Sequence, residues 1–147
     1  MKLPTTKFVL VGAPSDADSA YARKMIGMKP DNVDYIEAPI RDRPELVEES
    51  KVYLYTSYEP GIGIALGQAM GAGCIPITPA SGGGAEMLEE IEGGYTYRTI
   101  DEASQDVMSA FHSQRTQDVP DYVARKALVF SSEQFEGRVV SLMSRYT

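Results

Sequence analysis

Two glycines stand where a predicted strand gives way to a helix, a position that suits an anion. Gly61 and Gly63 follow the predicted strand Val52–Thr56 and open a helix predicted from Ile62 to Ala72. The first amides of a helix lack partners within it, and the positive end of the helix dipole attracts phosphate. Glycine also lets a phosphate approach the backbone closely. The same spacing is typical of a tight turn without a ligand, so spacing alone leaves both interpretations open.

Two common phosphate-binding motifs are excluded by their context. Gly61, Gly63 and Gly67 approximate the dinucleotide fingerprint, but they follow the third predicted strand rather than the first. The next strand also ends without an acid that could bind a ribose. A P-loop requires a lysine after its glycines, and no lysine lies between Val52 and Arg125. An anion at this turn would therefore depend on backbone amides.

The scarcity of histidine and cysteine excludes several other chemistries. One cysteine, Cys74, and one histidine, His112, leave no Cys/His zinc site and no internal disulfide. His112 lies in a helical stretch without a nearby nucleophile pattern, which argues against a histidine-based triad. We therefore expect no metal and no cofactor.

The charge and hydropathy of the chain limit which partners and which cellular location are expected. The chain has 147 residues, and 14 Lys and Arg against 21 Asp and Glu give a net charge of −7. This sign opposes binding to a nucleic-acid backbone, so we expect no nucleic-acid partner. No apolar run reaches the length of about 18 residues that a membrane-spanning helix needs, and residues 1–14 lack the apolar stretch of a secretory signal. A cytoplasmic location is expected.

Short apolar runs alternate with helical segments, which is the pattern of a parallel sheet linked by crossover helices. We predict a single α/β domain over residues 1–147, with a doubly wound parallel sheet and helices on both faces. Pro76 lacks a backbone N–H, so its strand is predicted at an edge or a bulge. Ser131 and Gln134 form a predicted capping box for the last helix. The predicted strands are Lys7–Gly12, Val33–Glu37, Val52–Thr56, Cys74–Ile77 and Gly94–Tyr97, and the later helices are Ala85–Ile91, Asp101–Ser113, Asp121–Phe130 and Glu133–Arg145.

Ligands of open parallel sheets bind beyond the carboxyl ends of the strands. This rule selects four loops, which are Gly12–Ser15, Glu37–Ile40, Ser57–Gly63 and Thr78–Gly84. The third loop is the most informative of them because it contains the two glycines that precede a helix.

The retaining glycosyltransferases of family 4 share a signature that resembles the stretch Ser50–Ile77, which reads SKVYLYTSYEPGIGIALGQAMGAGCIPI. The later Gly82-Gly83-x-x-Glu86, followed by Gly94-Tyr95, resembles it as well. In that family a serine precedes a Glu-Gly-Phe-Gly-Ile-like turn, then a helix opens with Glu-Ala-Met-Ala-x-Gly, and an Ile-Pro-Ile-like strand follows. The resemblance extends over residues 7–146. It implies the C-terminal, Rossmann-like half of a two-domain GT-B fold, which binds the nucleotide-sugar donor.

The resemblance implies roles for individual residues. It implies that the backbone of Gly63 and Ile64 binds the distal phosphate and that Gln68 binds the ribose. Glu59 is implied to contact the sugar as the catalytic carboxylate, and no metal is implied. The remaining donor-binding residues that it implies are Gly12, Gly61 and, bordering the base, Ala38 and Pro39.

The chain departs from the family pattern at two acidic positions. The family has two glutamates with seven residues between them, whereas here eight residues separate Glu59 from Gln68. Either the turn contains one extra residue, or the first acidic position corresponds to Pro60. Gln68 is neutral, so it binds a ribose diol less strongly than a carboxylate does.

The resemblance, together with the departures from the family pattern, leaves two possible functions. The first is the donor-binding part of a retaining, hexosyltransferase-like enzyme, which transfers a sugar from a nucleotide-sugar to an acceptor. The second is a non-catalytic nucleotide- or partner-binding module that retains only the fold. An activity assay on this chain and on any longer natural form separates the two.

Members of the family contain parts that we do not expect in this chain, and these parts indicate its expected partners. We expect this chain to lack the family's first strand-helix unit, with its cationic side chains, and the N-terminal acceptor-binding domain. Alone, the chain is then expected to be inactive and to form homodimers at high concentration through uncovered apolar surface. A full-length form is expected to be peripheral to the membrane.

Overall fold

The computed structural model describes residues 3–12, 19–39, 42–57, 61, 63–91, 93–112 and 118–145. The chain divides into two compact units, Met1–Glu45 and Leu46–Thr147. Both units combine parallel strands with helices, so the α/β class predicted from the sequence is confirmed.

The first unit is a β-α-β arrangement. Its strands β1 (Phe8–Val11) and β2 (Val33–Ile36) pair in parallel and are connected through helix α1 (Ser19–Gly27). Asn32, directly before β2, fixes the loop before β1, because its Nδ2 donates a hydrogen bond to the Thr6 carbonyl at 2.6 Å. The short helix α2 (Pro44–Glu48) crosses the division between the units.

The second unit contains a three-stranded parallel sheet in the order β3-β4-β5. Its strands are β3 (Val52–Leu54), β4 (Ile75–Pro79) and β5 (Tyr95–Tyr97). Its helices are α3 (Ile64–Gly71), α4 (Gly83–Ile91), α5 (Ile100–His112), α6 (Asp118–Ala127) and α7 (Ser132–Met143), with a 3-10 helix at Leu128–Phe130.

The core of the second unit surrounds its middle strand. Every residue of β4 is buried, as expected for a strand that is covered on both faces. Helix α5 packs against all three strands, while α3, α4 and α6 also pack against β4. Helices α3, α4 and α6 share a core that consists of Leu66, Met70, Met87, Leu88, Ile91, Val123 and Ala127. This core packs α3 and α4 against α6.

Pro76 lies in the middle strand rather than at an edge or a bulge, so that prediction was wrong. Ile75 donates to the Lys51 carbonyl on the β3 side. Because successive residues of a strand face alternate neighbours, Pro76 faces β5. The pairing of β4 with β5 begins only at Ile77. The missing N–H of Pro76 therefore falls outside the ladder and leaves the sheet intact.

The start of α7 and the end of α6 can be compared with the helix boundaries predicted from the sequence. The N-cap half of the predicted capping box is confirmed, because the Gln134 amide donates to Ser131 Oγ at 3.3 Å. Helix α6 ends at Ala127 and continues as a 3-10 helix, whereas the sequence predicted an α-helix as far as Phe130. The tighter last turn brings Val129 and Phe130 against the shared core.

Candidate anion-binding site

The candidate site lies at the carboxyl edge of the three-stranded sheet, where α3 follows β3 and α4 follows β4. Because β3 and β4 are parallel neighbours, both helices begin at the same edge. A Cβ added to Gly84, near the start of α4, would lie 3.4 Å from Leu66 Cδ2, near the start of α3. The two first turns are therefore neighbours, and the positive ends of two helices meet at this edge.

Among the described residues, no side chain caps the start of α3. The N-cap Gly63 has φ −67° and ψ 110°, and its carbonyl accepts from the amides of Leu66 at 2.9 Å and Gly67 at 3.2 Å. The amides of Ile64 and Ala65 precede these first intrahelical bonds. Within this helix the first turn contains no acidic residue, so no carboxylate of its own competes with an incoming anion.

Gln68 lies one turn after Ile64 on the same exposed face of α3. Ile64 is 80% exposed, and Gln68 is exposed as well. Gly61, just before the helix, is also exposed. The structure thus brings Gly61, Gly63, Ile64 and Gln68 together around one helix end, while their contacts with a donor stay a prediction.

The other predicted donor-binding residues lie in the first unit. The amides of Gly12 and Ala38 both donate to the Ile36 carbonyl, at 3.2 and 3.1 Å. Gly12, Ala38 and the adjacent Pro39 therefore cluster at the carboxyl end of β2. Glu59, the predicted catalytic carboxylate, lies outside the described residues.

Tyr55 lies against the start of α3, although its sequence context indicates only a strand-forming residue. A Cβ added to Gly63 would lie 2.9 Å from both Cε2 and Oη of Tyr55. The half-buried ring also packs against the core that α3 shares with α4 and α6. Its place directly after β3, at the ligand-binding edge of the sheet, was the sequence signal that could have identified it.

The backbone of Tyr55, directly after β3, is held at both its amide and its carbonyl. Its amide donates to the Ile77 carbonyl at 2.8 Å, and its carbonyl accepts a hydrogen bond from Tyr97 Oη at 3.0 Å. Tyr97 is itself buried in the sheet, opposite Pro79. The ring of Tyr55 therefore projects toward Gly63 from a fixed backbone.

Glycines also shape the start of α4. Gly82 has a φ of 80°, which glycine adopts without strain, and its carbonyl accepts from the amides of Ala85 and Glu86 at 3.1 and 3.3 Å. A Cβ on Gly84 would lie 3.3 Å from the buried Thr78 side chain. Glu86 is exposed in the first turn, where its carboxylate interacts favourably with the dipole of its own helix. Of the two helix ends, α3 is therefore better suited to an anion.

The remaining chemistry of the described residues is limited. Within the described ranges, no group of three or more His, Cys, Asp and Glu side chains is arranged to hold a metal ion. In the same ranges, no helix has the length and apolar character needed to cross a membrane. Burial raises the pKa of the Cys74 thiol to about 11, so this thiol is neutral at physiological pH. Among the described residues of the second unit, the amides of Ile64 and Ala65 at the start of α3 are the groups best suited to an anion.

The parallel strands, the crossover helices and the helix ends at one sheet edge define a Rossmann-like α/β protein. The family model described as Glycosyl transferases group 1 matches residues 2–113. This match spans most of the sequence, and the chain belongs to that family, as its resemblance predicted. A comparison with curated proteins finds no match.

Solved structures show the same fold at low sequence identity. The GtfA/B complex aligns over 98% of this chain and 30% of its own, with 18% identity and a TM-score of 0.74. Anabaena Alr3699/HepE in complex with UDP aligns over 97% and 42%, with 19% identity and a TM-score of 0.79. Its complex with UDP and glucose aligns over 98% and 43%, with 18% identity and a TM-score of 0.70. The fold is that of GT-B glycosyltransferases, and the chain spans less than half the length of these proteins.

Proposed function

We propose that this chain is the donor-binding part of a retaining glycosyltransferase, which transfers a sugar from a nucleoside-diphosphate sugar to an acceptor. The start of α3, which no side chain of the described residues caps, carries this proposal through the amides of Ile64 and Ala65 at the carboxyl edge of the sheet. Membership of the family Glycosyl transferases group 1 supports the transferase class. The helix end supports a diphosphate as the group that binds there.

In this proposal the distal phosphate of the donor binds to the amides of Ile64 and Ala65. Gln68 lies on the same exposed face and binds the ribose, because its side-chain amide both donates and accepts hydrogen bonds. Glu59 contacts the sugar, as the family resemblance implies. The donor is thus recognised mainly through backbone groups. Few substitutions at Gly63 are therefore expected to preserve donor binding.

The same amides serve the transfer step. The bond between the anomeric carbon and the diphosphate oxygen breaks with its electron pair leaving on that oxygen. The acceptor hydroxyl oxygen bonds to the same carbon on the same face, and its proton passes to the departing diphosphate. Negative charge accumulates on the leaving diphosphate as this bond breaks. Amides already aimed at that oxygen stabilise the charge without reorganisation, so α3 contributes to catalysis as well as to binding.

UDP is the first nucleotide to test, and a hexose the first sugar. Alr3699/HepE, whose fold this chain shares, was solved with UDP and with UDP and glucose. We propose a nucleotide-sugar of this kind as the donor and include GDP and ADP as competitors, because α3 reads only the phosphate. We also propose binding without a metal ion, which a titration in EDTA checks against one in Mg²⁺.

We propose that transfer requires an acceptor-binding domain in addition to this chain. The chain spans 30% of the GtfA/B chain and 42% of the Alr3699/HepE chain. An isolated domain is expected to bind nucleotide and to release no sugar to an acceptor. Transfer by the isolated chain at a rate equal to that of a longer natural form would contradict this part of the proposal.

Self-association is expected of the isolated chain. Phe135, Val140 and Met143 of α7 are 68%, 66% and 64% exposed, and a second copy of the chain can cover them. Sedimentation velocity should show dimers as the protein concentration approaches about 1 mM, where a contact worth about 4 kcal/mol becomes half-populated. A strict monomer at that concentration contradicts this expectation.

The neutral Gln68 favours a second candidate function, which is a nucleotide-binding module without transferase chemistry. A carboxylate would hold a ribose diol more strongly than an amide does. Under this alternative the chain binds UDP, but a longer natural form hydrolyses or transfers no sugar. Replacing Gln68 with Glu is then expected to strengthen UDP binding without creating activity.

A titration of labelled protein tests the proposed function. UDP, GDP and ADP are added separately to about 10 mM while the amide signals of Gly63, Ile64 and Ala65 are followed. We expect saturable shifts with a Kd near 1 mM, about −4 kcal/mol, because a few amides and a helix dipole provide the affinity. Amide signals that stay in place with all three nucleotides would contradict the proposal and support a different binding partner.

A further inference from the structure

We propose that Tyr55 is a positioning residue for the start of α3, and that Gly63 is glycine because of the Tyr55 ring. The role in nucleotide binding rests on the proposed function, whereas the pairing of the two residues does not. Three observations carry the proposal: the fixed backbone of Tyr55, the packing of its ring, and the space above the Cα of Gly63.

The backbone of Tyr55 cannot shift easily, although β3 ends one residue earlier. The Tyr55 amide donates to Ile77 at 2.8 Å, and Tyr97 Oη donates to the Tyr55 carbonyl at 3.0 Å. Both partners belong to the sheet, Ile77 to the buried strand β4 and Tyr97 to β5. Tyr55 is thus anchored to two strands other than its own.

The ring of Tyr55 is held as well. It is half-buried and packs against the core of Leu66, Met70 and the residues that join them from α4 and α6. A ring that is fixed at its backbone and packed against a core has little freedom to move aside. Any group that enters the space at its hydroxyl edge therefore meets a firm neighbour.

The space above Gly63 is already filled by this ring. A Cβ at residue 63 would lie 2.9 Å from Tyr55 Cε2, 2.9 Å from Oη and 3.0 Å from Cζ. The φ of Gly63 is −67°, which any residue adopts. Backbone conformation therefore does not require glycine at this position, and the Tyr55 ring does. The contact sets how far the first turn of α3 can move toward the sheet.

A four-variant cycle tests this proposal, using wild type, Gly63→Ala, Tyr55→Leu and the double variant. Each protein is assayed for its thermal midpoint and for its UDP affinity by amide-shift titration. Gly63→Ala is expected to lower the midpoint and weaken UDP binding about tenfold, as expected when one hydrogen bond to a charged phosphate is lost. Tyr55→Leu is expected to weaken UDP binding about threefold by releasing the turn. The double variant is expected to recover the stability lost in Gly63→Ala and to bind UDP as Tyr55→Leu does.

Two control variants distinguish positioning of the start of α3 by Tyr55 from the general contribution of a ring to core packing. Tyr53→Leu alters a half-buried ring that packs on the same core, whereas the three atoms nearest to a Cβ on Gly63 all belong to Tyr55. This variant is expected to lower stability while leaving UDP affinity unchanged. Tyr55→Phe keeps Cε2, so it should fold and should fail to rescue Gly63→Ala. If Tyr55→Phe rescues Gly63→Ala as well as Tyr55→Leu does, the ring is not the obstacle.

The remaining outcomes test three claims separately: the pairing of Tyr55 with Gly63, the positioning role of Tyr55, and the proposed function. Additive losses of stability in the double variant overturn the pairing of Tyr55 with Gly63. Coupled stabilities with an unchanged UDP affinity in the folded variants overturn the positioning role. Absence of UDP binding by the wild type contradicts the proposed function instead, and the stability cycle still decides whether the two residues form a matched pair.

Discussion

The hydroxyl of Tyr97 donates a hydrogen bond to the backbone carbonyl of Tyr55 across 3.0 Å, although 42 positions separate the two residues. In the ladder between β3 and β4, Ile75 donates to the Lys51 carbonyl. The same register brings Pro79 to the Tyr55 carbonyl. Because proline has no N–H, the phenol of Tyr97 provides the donor that the ladder lacks there.

Removing this hydroxyl should weaken the second unit. Tyr97→Phe is expected to lower the free energy of unfolding by about 1–2 kcal/mol, because the partly buried Tyr55 carbonyl loses its partner. Tyr21→Phe is the matched control, since Tyr21 is 69% exposed on α1 and should change stability by less than about 0.5 kcal/mol. Urea unfolding followed by circular dichroism measures both. Equal stabilities of the two variants would show that the hydroxyl bond contributes nothing.

Gly94 is predicted to be the least replaceable glycine at the sheet. Its φ is 100°, and an added Cβ would lie 2.5 Å from the Pro76 carbonyl oxygen. Gly94→Ala is expected to lower the free energy of unfolding by at least about 3 kcal/mol, since backbone strain and a steric clash add. Gly137→Ala, in the interior of α7 with open space around it, should instead raise stability by about 0.5–1 kcal/mol. A tolerated Gly94→Ala in urea unfolding would contradict the close approach to β4.

Cys74 should make the stability of the protein depend on alkaline pH. Its Sγ lies 3.1 Å from the carbonyl oxygens of Val47 and Ser50, and burial raises its pKa to about 11. A thiol in the unfolded chain has a pKa of about 8.5, so the unfolded state loses its proton first as pH rises. Between these pKa values this residue should lower the free energy of unfolding by up to about 1.4 kcal/mol per pH unit.

The Cys74→Ala variant isolates this effect from other groups that titrate at alkaline pH. Its stability relative to wild type should improve steadily above about pH 8.5 and stay constant between about pH 6 and 8. Urea unfolding of both proteins at a series of pH values gives this difference directly. A difference that does not change with pH would indicate an exposed thiol with an ordinary pKa.

Asp106 should lower stability at neutral pH. Burial raises the pKa of Asp106, and the Glu102 carboxylate on the same helix raises it further. The folded state therefore binds this proton more tightly than the unfolded state does, and stability falls as pH rises through the raised pKa. Asp106→Asn should stabilise the protein by about 0.5 kcal/mol at pH 7, and by nothing at about pH 2.5, where aspartate is protonated in both states.

Asp101→Asn is the matched control for Asp106→Asn. Asp101 lies in the first turn of α5, where a carboxylate interacts favourably with the helix dipole. This substitution should therefore lower the thermal midpoint at pH 7, opposite in sign to Asp106→Asn. Destabilisation by Asp106→Asn at pH 7 would contradict the raised pKa.

Local sequence patterns predicted the elements of the fold well. The run at Phe8–Val11 and the alternation at Val33–Ile36 both form strands, and Ser131 caps the last helix. These features depend on residues that are close in sequence, so local patterns contain the information. The place of Pro76 was mispredicted because the number of neighbours of a strand depends on the order of all strands.

The residues around the candidate site show the limit of sequence reasoning more clearly. Gly63 and Ile64 could be chosen because a glycine-rich turn before a helix is a local pattern. The residues that support this turn could not be chosen in this way, because Tyr55 meets Gly63 from directly after β3 and Tyr97 reaches Tyr55 from another strand. Packing of this kind follows from the folded sheet and has no fixed spacing in the sequence. The role of Glu59 stays a prediction, because it lies outside the described residues.

Whether the start of α3 binds a diphosphate is tested most directly by deleting one of its amides. Ile64→Pro removes the N–H at the first helical position, where proline fits a helix, and Gly63 already has the extended conformation that precedes proline. Ile64→Ala removes the same exposed side chain and keeps the amide.

The measurement is the UDP affinity of the three proteins, taken from the shift of the Ala65 amide. Wild type and Ile64→Ala should bind equally, and Ile64→Pro should bind about tenfold more weakly, since one hydrogen bond to a charged phosphate is lost. Equal affinities of Ile64→Pro and Ile64→Ala, with both proteins folded, would show that the nucleotide does not bind at this helix end.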